Sequence, residues 1–371
     1  MRTERLEHHS RNLRRRMKQA KRVAKAGLLI GGVTAGVATA ATGMYISHRL
    51  RNRYDLADKV VVITGGSRGL GFALAQECAR AGAIVAICAR DKSELVWAQE
   101  SMEREFGNRI YARVCDVTNN DEVGEFITAV LSRFNRIDVL INNAGIITVG
   151  PMDSQTITDY QESMDVMFWG VVYPTLAVLP HMKARGMGRI ANIASIGGKI
   201  SVPHLLPYSA AKFAAVGFSE GLRAELLQHG VKVTTVCPGL MRTGSHLNAY
   251  FKGQHRKEFT LFSFGATTPF VSIEGRRAAR KIISSIRAGK AELVITPQAK
   301  LAAKFHGLFP GLTTDILGVV NRFLPSDETQ QKDRHLGKDS QTVLTRSPLQ
   351  KFGHEAASEF HQHHSPGRET A

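Results

Sequence analysis

Short runs of apolar and β-branched residues alternate with amphipathic stretches between residue 56 and about residue 297. Four of these stretches, residues 71–81, 92–106, 121–134 and 208–229, carry apolar residues at helical spacing. Such alternation is typical of βαβ units, whose parallel strands are covered on both faces. The pattern predicts a doubly wound, mainly parallel sheet flanked by helices in one domain over residues 56–297. Its seven predicted strands are residues 60–64, 84–89, 110–115, 139–141, 189–193, 231–236 and 292–295.

The N-terminus has a different pattern, with a basic arm over residues 1–25 and an uncharged, apolar segment over residues 26–47. At about 1.5 Å per helical residue, this segment is long enough to cross a hydrocarbon core of roughly 30 Å. Three interpretations stay open. We favour a single membrane anchor; the others are a cleaved export signal with an A-x-A site at Ala38-Thr39-Ala40, and a surface-associated or disordered leader.

Two further segments follow the predicted domain. Residues 298–325 are apolar with interspersed Lys, Pro and Gly, a pattern that suits either packing on the domain or contact with a bilayer surface. From about residue 326 the chain is rich in Gln, Ser, Lys and His. This composition predicts a disordered tail over residues 326–371.

The net charge of +17 is concentrated near the N-terminus. Residues 1–53 contain 13 Lys or Arg and two Glu, a net charge of +11, so the rest of the chain carries only +6. We therefore predict no nucleic-acid partner. The composition, 43% hydrophobic and 22% charged, excludes a disordered, collagenous or polytopic membrane protein. Cys78, Cys88, Cys115 and Cys237 form no CxxC pair, so we expect buried thiols rather than a zinc site or disulfides.

The first predicted strand leads into a glycine-rich turn, Thr64-Gly65-Gly66-Ser67-Arg68-Gly69-Leu70-Gly71, that precedes a helix. Glycines allow a tight turn and bring backbone N–H groups close to a pyrophosphate at the helix N-terminus. Three motifs follow: Asn142-Asn143-Ala144-Gly145, then Ser195, then Tyr208-Ser209-Ala210-Ala211-Lys212. Together the motifs resemble the short-chain dehydrogenase/reductase family over residues 56–297. The resemblance implies a Rossmann-type fold and hydride transfer between a nicotinamide cofactor and a carbonyl or alcohol.

Tyr208 and Lys212 stand four residues apart, so they share one face of a helix. A nearby ammonium favours the phenolate, and we expect Lys212 to lower the pKa of Tyr208 from its reference of about 10. The resemblance implies that Tyr208 is the general acid in reduction, that Lys212 also holds the nicotinamide ribose, and that Ser195 hydrogen-bonds the substrate oxygen. We predict Ser195, Tyr208 and Lys212 as the catalytic residues.

The end of the second strand indicates the cofactor. NAD-dependent members of the family have an acidic residue where Ala89 stands, whereas Arg90 follows it here. Arg68 in the glycine turn is a second cation near the same place, and two guanidiniums suit a 2′-phosphate. We predict NADP(H); the alternative is that Arg90 is a solvated strand-end residue.

The resemblance adds two contacts with the cofactor. Asp116-Val117 resembles the adenine-contacting pair, and the stretch from Pro238 to Thr243 resembles the one that backs the nicotinamide. The predicted cofactor-binding residues are Gly65, Ser67, Arg68, Gly69, Leu70, Gly71, Arg90, Asp116, Val117, Asn143, Ala144, Gly145, Tyr208, Lys212, Pro238, Gly239 and Thr243.

One position departs from the family's pattern. Where the family has an Asn that holds a water of the proton relay, this chain has Met167. Because a thioether donates no hydrogen bond, either the relay is rebuilt, with Ser163 or Asp165 as substitutes, or turnover is slow. A second function therefore stays open, a catalytically weak NADPH-binding sensor or assembly protein.

Residues 245–272 lie where the family has its substrate lid, and six aromatic residues fall there: Tyr250, Phe251, Phe259, Phe262, Phe264 and Phe270. Either they favour a lipophilic substrate such as a steroid, a retinoid or a long-chain acyl carbonyl, or they pack the lid onto the core. We predict no metal site, because no predicted fold fixes the geometry of the tail histidines His354, His361, His363 and His364.

Two arguments about the side of the membrane conflict. The positive charge of residues 1–25 keeps the N-terminus cytoplasmic and would send the domain across. NADPH supply and unpaired cysteines favour a cytoplasmic domain, and we give this argument more weight. We predict a membrane-associated protein with a cytoplasmic catalytic domain. The family's fourth and fifth helices commonly build dimers or tetramers, so the resemblance is compatible with a homo-oligomer.

Overall fold

Seven parallel strands form the central sheet of the protein. The computed structural model describes residues 54–268, 271–326, 331–345 and 351–362, and the part from Asp55 onward forms one compact unit. The strands are β1 Val60–Thr64, β2 Ile84–Ala89, β3 Ile110–Val114, β4 Val139–Asn142, β5 Gly188–Ile193, β6 Val231–Cys237 and β7 Glu292–Val294. Their order across the sheet is β7-β6-β5-β4-β1-β2-β3.

The sheet confirms the doubly wound fold that the hydrophobic pattern predicts. All seven predicted strands are present, β1 and β2 with the predicted bounds and the other five with one end shifted by one residue. Strands β4 and β6 run on to Asn142 and Cys237, β5 begins at Gly188, and β3 and β7 stop before Cys115 and Ile295.

The strand order reverses between β1 and β4. These two strands are neighbours in the sheet, with Val61 opposite Val139 and Ile63 opposite Ile141. The chain moves outward from β1 in one direction and from β4 in the other. In open α/β sheets, ligands bind outside the carboxyl ends of the strands at such a switch point. The glycine turn and the Asn142-Asn143-Ala144-Gly145 motif both follow strands at this place.

Helices cover both faces of the sheet. Helix α1 (Gly69–Arg80) packs against α8 (Gly275–Ala288) on one face, and α3 (Asn120–Phe134) packs against α5 (Gly170–Ala184) on the other. The helices are α1 Gly69–Arg80, α2 Lys92–Phe106, α3 Asn120–Phe134, α4 Ile157–Met164, α5 Gly170–Ala184, α6 Leu206–Leu226, α7 His255–Thr267, α8 Gly275–Ala288, α9 Pro297–Leu308, α10 Pro310–Asn321 and α11 Lys351–Glu359.

Strand β1 shows why a central strand of this sheet has consecutive apolar residues. Val60 and Val62 belong to the core cluster that includes Phe126 of α3, while Val61 and Ile63 alternate with them and are also fully buried. A strand covered on both faces carries no polar alternation.

Side-chain caps set the start of two helices. The Asp91 carboxylate accepts the N–H of Glu94 at 2.9 Å before α2. The Asn119 side chain accepts the N–H groups of Asp121 and Glu122 at 3.0 and 3.3 Å before α3. Each cap satisfies backbone donors that have no partner inside the helix.

Helices α4 and α5 are continuous through one π-helical turn, Asp165–Trp169. Among the described residues, the combined helix Ile157–Ala184 is the one whose length and composition would allow it to cross a membrane. Its most apolar window is 56% buried, and its residues pack against α3, α6 and β4. The helix therefore serves as a core helix, and its apolar character is weak evidence for a membrane span. The predicted anchor over residues 26–47 and the basic arm lie outside the described residues.

The segment after β7 consists of two helices and a folded tail. Helices α9 and α10 follow one another with Phe309 between them. Residues 331–345 then return to the lid, where the short strand His335–Leu336 pairs with Tyr250–Phe251, which pairs in turn with Thr148–Val149. A second pair of short strands, Met241–Arg242 and Ile273–Glu274, lies nearby in sequence.

The tail differs from the predicted disorder in residues 331–345 and 351–362. Arg334 forms ion pairs of 2.6 Å with both Asp159 and Glu162 of α4. Helix α11 buries Ala357, and Phe360 directly after it is also fully buried. The polar composition does not predict these contacts, because a few separate residues make them. They do not come from a periodic apolar face.

Candidate active site

The glycine turn between β1 and α1 leaves no room for side chains at two positions. Gly65 has a φ of +64°, and a Cβ there would lie 2.9 Å from the Ala144 Cα. At Gly71 a Cβ would lie 2.0 Å from the Gly65 carbonyl oxygen and 2.5 Å from the Asn143 side chain. The turn is therefore closed tightly against the segment after β4, and it leads into the N-terminus of α1, where backbone N–H groups can bind a phosphate.

Hydrogen bonds fasten this turn to the motif after β4. The Thr64 hydroxyl accepts the N–H groups of Asn143 and Ala144 at 3.0 and 3.2 Å. The Asn143 side chain donates to the carbonyls of Thr64 and Gly65 at 3.1 and 3.0 Å. Gly145 continues toward α6, where a Cβ would lie 3.7 Å from the Lys212 Nζ. One polar network thus joins the carboxyl ends of β1 and β4.

Ser195, Tyr208 and Lys212 meet at the carboxyl end of β5. Ser195 follows that strand, and its hydroxyl accepts the N–H of Gly197 at 3.0 Å. Tyr208 lies in the first turn of α6 and forms a hydrogen bond with the Ser195 side chain. The Lys212 Nζ lies one turn further along, 5.8 Å from the centre of the Tyr208 ring. The structure therefore brings together the three residues predicted to be catalytic.

Lys212 is buried, and its ammonium is hydrogen-bonded within the protein. Its side chain is 4% exposed, and its Nζ donates to the Ile193 carbonyl at 2.8 Å. Burial lowers the pKa of Lys212 to about 8. Its ammonium is therefore fixed in direction but loses its proton more readily than an exposed lysine does.

The pKa of Tyr208 differs from the prediction. Burial raises it above its ordinary value, and the hydrogen bond with Ser195 opposes that rise. The expected lowering by Lys212 is not seen, since its ammonium lies over the ring and donates to Ile193. Tyr208 accordingly keeps its proton at neutral pH in this structure, which suits a proton donor.

Two arginines lie at the carboxyl end of β2, and each has a carboxylate partner. The Arg68 guanidinium contacts Glu94 at 2.8 Å, and the Arg90 guanidinium contacts Asp116 at 3.7 Å. The Ser67 hydroxyl also donates to Glu94, at 3.2 Å. Sequence analysis misses Glu94 because the spacing Asp91 to Glu94 resembles a helix-capping pattern.

The stretch after β6 lies beside the Ser195 turn. The Pro238 carbonyl accepts the N–H of Ile196 at 2.8 Å, and Thr243 is buried. At Gly239 a Cβ would lie 3.0 Å from the Thr296 hydroxyl, so this glycine contacts the start of α9. The position suits the predicted role of this stretch behind a nicotinamide.

The comparisons with known proteins agree with this geometry. The family model described as short chain dehydrogenase matches residues 59–250, more than half of the chain. The chain belongs to the short-chain dehydrogenase/reductase family. A relative in Danio rerio, dehydrogenase/reductase SDR family member 7B, is 38% identical over 236 residues, which cover 60% of this chain and 74% of that protein.

Solved structures of this family show the same fold. A short-chain dehydrogenase from Streptomyces avermitilis matches 72% of this chain and 98% of its own, with a TM-score of 0.62 and 29% identity. An actinorhodin polyketide ketoreductase solved with NADPH matches 65% of this chain and 97% of its own, with a TM-score of 0.58 and 30% identity.

Met167, which departs from the short-chain dehydrogenase/reductase pattern, is fully buried in the π-helical turn. Its Cγ would lie 3.7 Å from a Cβ placed at Gly145, so its apolar side chain borders the network after β4. Of its two predicted substitutes, Ser163 has a buried hydroxyl without a hydrogen-bond partner among the described residues. The proton relay through Ser163 stays a prediction.

The tail covers the start of α1, a contact that sequence analysis does not predict. The Phe360 carbonyl accepts the N–H of Gly69 at 2.8 Å, and the Gln362 side chain lies over the same glycine. His361 between them lies against Trp97 of α2. The tail thus occupies a backbone donor that the glycine turn would offer to a phosphate. Leu70, the next residue of the turn, is buried.

The cysteines and histidines add no further centre within the described part of the chain. The four cysteine thiols are free and buried. No group of three or more His, Cys, Asp or Glu in the described ranges is arranged to hold a metal ion. The His354 ring contacts the Thr345 carbonyl at 3.2 Å, and residues 363 and 364 lie outside the described ranges.

Proposed function

We propose that this protein is an NADP(H)-dependent oxidoreductase that interconverts a lipophilic carbonyl and its alcohol, with Tyr208 as general acid and base. The observation that carries the proposal is the meeting of Tyr208, Ser195 and Lys212 beside the glycine turn. The tight glycine turn from Gly65 to Gly71 leads directly into the N-terminus of α1, a place where backbone N–H groups suit a pyrophosphate.

Each of the three residues has a role that follows from its surroundings. A bound NADPH would supply the hydride to the carbonyl carbon. Tyr208, protonated at neutral pH, donates its proton to the carbonyl oxygen, so that an alcohol forms and a phenolate remains. Ser195 orients the same oxygen through its hydroxyl. Lys212, whose Nζ donates to the Ile193 carbonyl, would hold the nicotinamide ribose.

The preference for NADP(H) rests on Arg68 and Arg90. Both side chains lie at the end of β2, where Ala89 leaves no carboxylate for a ribose hydroxyl. A 2′-phosphate would compete for them with Glu94 and Asp116. The actinorhodin ketoreductase, solved with NADPH, supports the same choice.

Arg90→Ala tests this preference. We expect the ratio of NADPH to NADH affinity to fall about 10-fold or more, since a charge-assisted hydrogen bond to phosphate is lost. Titration of both dinucleotides measures it. Arg113→Ala on β3, which removes an exposed arginine paired with Glu125, is the matched control. An unchanged ratio in Arg90→Ala would refute the assignment.

The proposal of a lipophilic substrate depends on some of the aromatic residues of the lid. Phe251 and Phe259 are fully buried against each other, so for these two the packing interpretation holds. Tyr250, Phe262 and Phe264 are partly exposed. These three favour an apolar substrate in contact with the lid.

NADPH oxidation by the full-length protein, with steroid, retinoid, acyl and small dicarbonyl compounds, tests the activity. Tyr208→Phe should lower turnover by about 10²–10⁴-fold while NADPH binding is retained, because only the proton donor is lost. Tyr111→Phe, on β3 beside Phe134, should leave turnover unchanged. Equal turnover by wild type and Tyr208→Phe would contradict the proposed role.

The buried Met167 favours a second candidate, a protein that binds NADPH but turns over slowly as a sensor or assembly factor. Tight NADPH binding without oxidation of any compound supports it. Met167→Asn separates the two functions: a gain in turnover means that the relay limits a functioning enzyme.

We also propose that the catalytic domain is cytoplasmic and that a single N-terminal anchor attaches the protein to a membrane. NADPH is supplied there, and four free buried thiols suit a reducing compartment.

A further inference from the structure

Helices α9 and α10 carry an exposed apolar surface, here called the apolar hairpin (residues 297–323). Leu308 and Phe323 are 73% and 83% exposed, and large apolar side chains on both helices are exposed with them. Soluble domains rarely expose a continuous patch of this kind unless it contacts a partner or a membrane. The exposed apolar residues are Leu301, Phe305, Leu308, Phe309, Leu312, Ile316, Val319, Val320 and Phe323.

The spacing of these residues makes one stripe on each helix. Along α10 and the turn after it they recur at intervals of four, three, one and three residues, from Leu312 to Phe323, which is the period of one helical face. Apolar residues at this spacing normally face a protein core. Here the described residues provide no such core, since Ala299 is the one buried residue of α9 and Thr313 the one of α10.

The two helices are nevertheless well defined. The Thr296 hydroxyl caps α9 by accepting the N–H of Ala299 at 3.3 Å, and α9 and α10 pack against each other. At the junction, the rings of Phe305 and Phe309 are 5.4 Å apart, and the Thr313 hydroxyl donates to the Phe309 carbonyl. The hairpin is therefore a formed structure that presents its apolar side outward.

The charges of the hairpin indicate what covers it. Lys300, Lys304 and Arg322 are exposed, against the single carboxylate of Asp315, so the hairpin has a net charge of +2. Within the described residues, neither Lys300 nor Lys304 forms an ion pair. Two copies of this surface would bring like charges together, whereas anionic lipid headgroups would neutralise them.

The base of the hairpin adjoins the active site. Thr296 and Ala299 lie against Gly239, and the Gln298 side chain donates to the Val271 carbonyl at 3.3 Å, close to the lid. A bilayer at the hairpin would therefore lie near the segments that, under the proposed function, bind the nicotinamide and the substrate.

We infer that the apolar hairpin docks into the surface of an anionic lipid bilayer, with Leu301, Phe305 and Leu308 in the acyl boundary and Lys300 and Lys304 at the headgroups. This contact is separate from the anchor predicted over residues 26–47. An anchor would add to it by holding the hairpin at high local concentration near the lipid.

A fluorescent label on the hairpin tests the contact directly in the full-length protein. The four cysteines described in the structure are buried, so Leu308→Cys can be labelled with the polarity-sensitive dye NBD. Met152→Cys, at a residue that is 71% exposed in another part of the domain, is the matched control. Both proteins are reconstituted into vesicles of phosphatidylcholine and phosphatidylglycerol in equal amounts.

We expect a blue shift at position 308 and quenching by nitroxide-labelled lipid, while the label at 152 is quenched only by aqueous iodide. Equal behaviour at both positions overturns the proposal even when an anchor keeps the protein on the vesicle. A blue shift that occurs without vesicles and grows with protein concentration also overturns it, because a second copy then covers the hairpin.

The charges provide a second arm. Lys300→Glu with Lys304→Glu should weaken the lipid contact at position 308 roughly fivefold or more per charge. Vesicles of phosphatidylcholine alone should have a similar effect. Insertion that does not depend on these charges contradicts an anionic partner. Neither readout requires turnover, so a failure of the proposed function leaves this test intact.

Discussion

Apolar side chains have opposite positions in two regions of the molecule, the catalytic end of the sheet and the segment from Pro297 onward. Around Tyr208 and Lys212, apolar residues are inside, and short hydrogen bonds join the polar groups. In the later segment, the apolar residues of α9 and α10 are outside, while Arg334 reaches a buried carboxylate. The difference shows that the side chains at the sheet end pack against one another inside the domain. In the later segment, the position of the side chains depends on contacts with other surfaces.

Gly71→Ala should have the largest effect, because it breaks the catalytic end itself. The added Cβ would lie 2.0 Å from the Gly65 carbonyl oxygen, so the backbone of the turn must move. We expect NADPH affinity to fall on the order of 100-fold and the Tm to decrease. Calorimetry and thermal unfolding measure both.

Gly124→Ala in α3 is the control, since a Cβ there has open space. It should raise the stability by about 0.5–1 kcal/mol, as alanine favours a helix. If Gly71→Ala behaved like this control, the turn would not be as tight as described.

Asp159→Asn should have the next largest effect, because Asp159 joins the two regions. Its carboxylate contacts Lys252 and Arg334, each at 2.6 Å, and Lys252 is 1% exposed. Loss of one partner leaves a buried charge, so we expect a cost of about 3–5 kcal/mol in the free energy of unfolding. Urea denaturation measures it. Glu162→Gln, at the exposed partner of Arg334, should cost about 1 kcal/mol or less.

The effect of Asp159→Asn on stability should depend on pH, and the pKa of Asp159 gives the direction of that dependence. Burial alone would raise the pKa of Asp159, but hydrogen bonds from Lys252, Thr156 and Arg334 hold it below its ordinary value. The carboxylate therefore stabilises the fold above a pH of about 4, and this contribution is lost as the pH falls through the lowered pKa. The difference between wild type and Asp159→Asn should shrink on acidification; a constant difference would argue against an ionic role.

Removal of residues 346–371 should have the smallest effect. It tests whether the tail and the dinucleotide compete at the glycine turn. It frees the Gly69 N–H from the Phe360 carbonyl. A hydrogen bond contributes about 1 kcal/mol net, so we expect NADPH to bind about fivefold more tightly. Removal of residues 363–371 alone keeps Phe360 and should leave the Kd unchanged. Weaker binding after the longer deletion would show that the tail instead helps to hold the dinucleotide.

The sheet and the site could be predicted because their signals are local. Strand β1 is apolar from Val60 to Ile63, and Tyr208 and Lys212 stand one helical turn apart, so neighbouring residues alone indicate their structure. The pKa of Tyr208 could not be predicted in the same way. It depends on burial and on the direction in which Lys212 donates, and both are properties of the packed structure.

The tail could not be predicted, because its contacts join residues far apart in the chain. Arg334 meets Asp159 across 175 positions, and Asn248 donates to the Gln362 carbonyl across 114. Composition describes only the average character of such a segment. The apolar hairpin stands between these cases, since its helices are periodic but its exposure follows from the absence of a facing element among the described residues.

The contact between His361 and Trp97 offers an optical readout of the tail. The chain has two tryptophans, and Trp169→Phe would leave Trp97 as the single indole emitter. The Trp97 ring is covered by His361 when the tail is seated, and it is uncovered when the tail leaves. The emission of Trp97 would then follow, in real time and without any label, whether the tail is seated at the glycine turn.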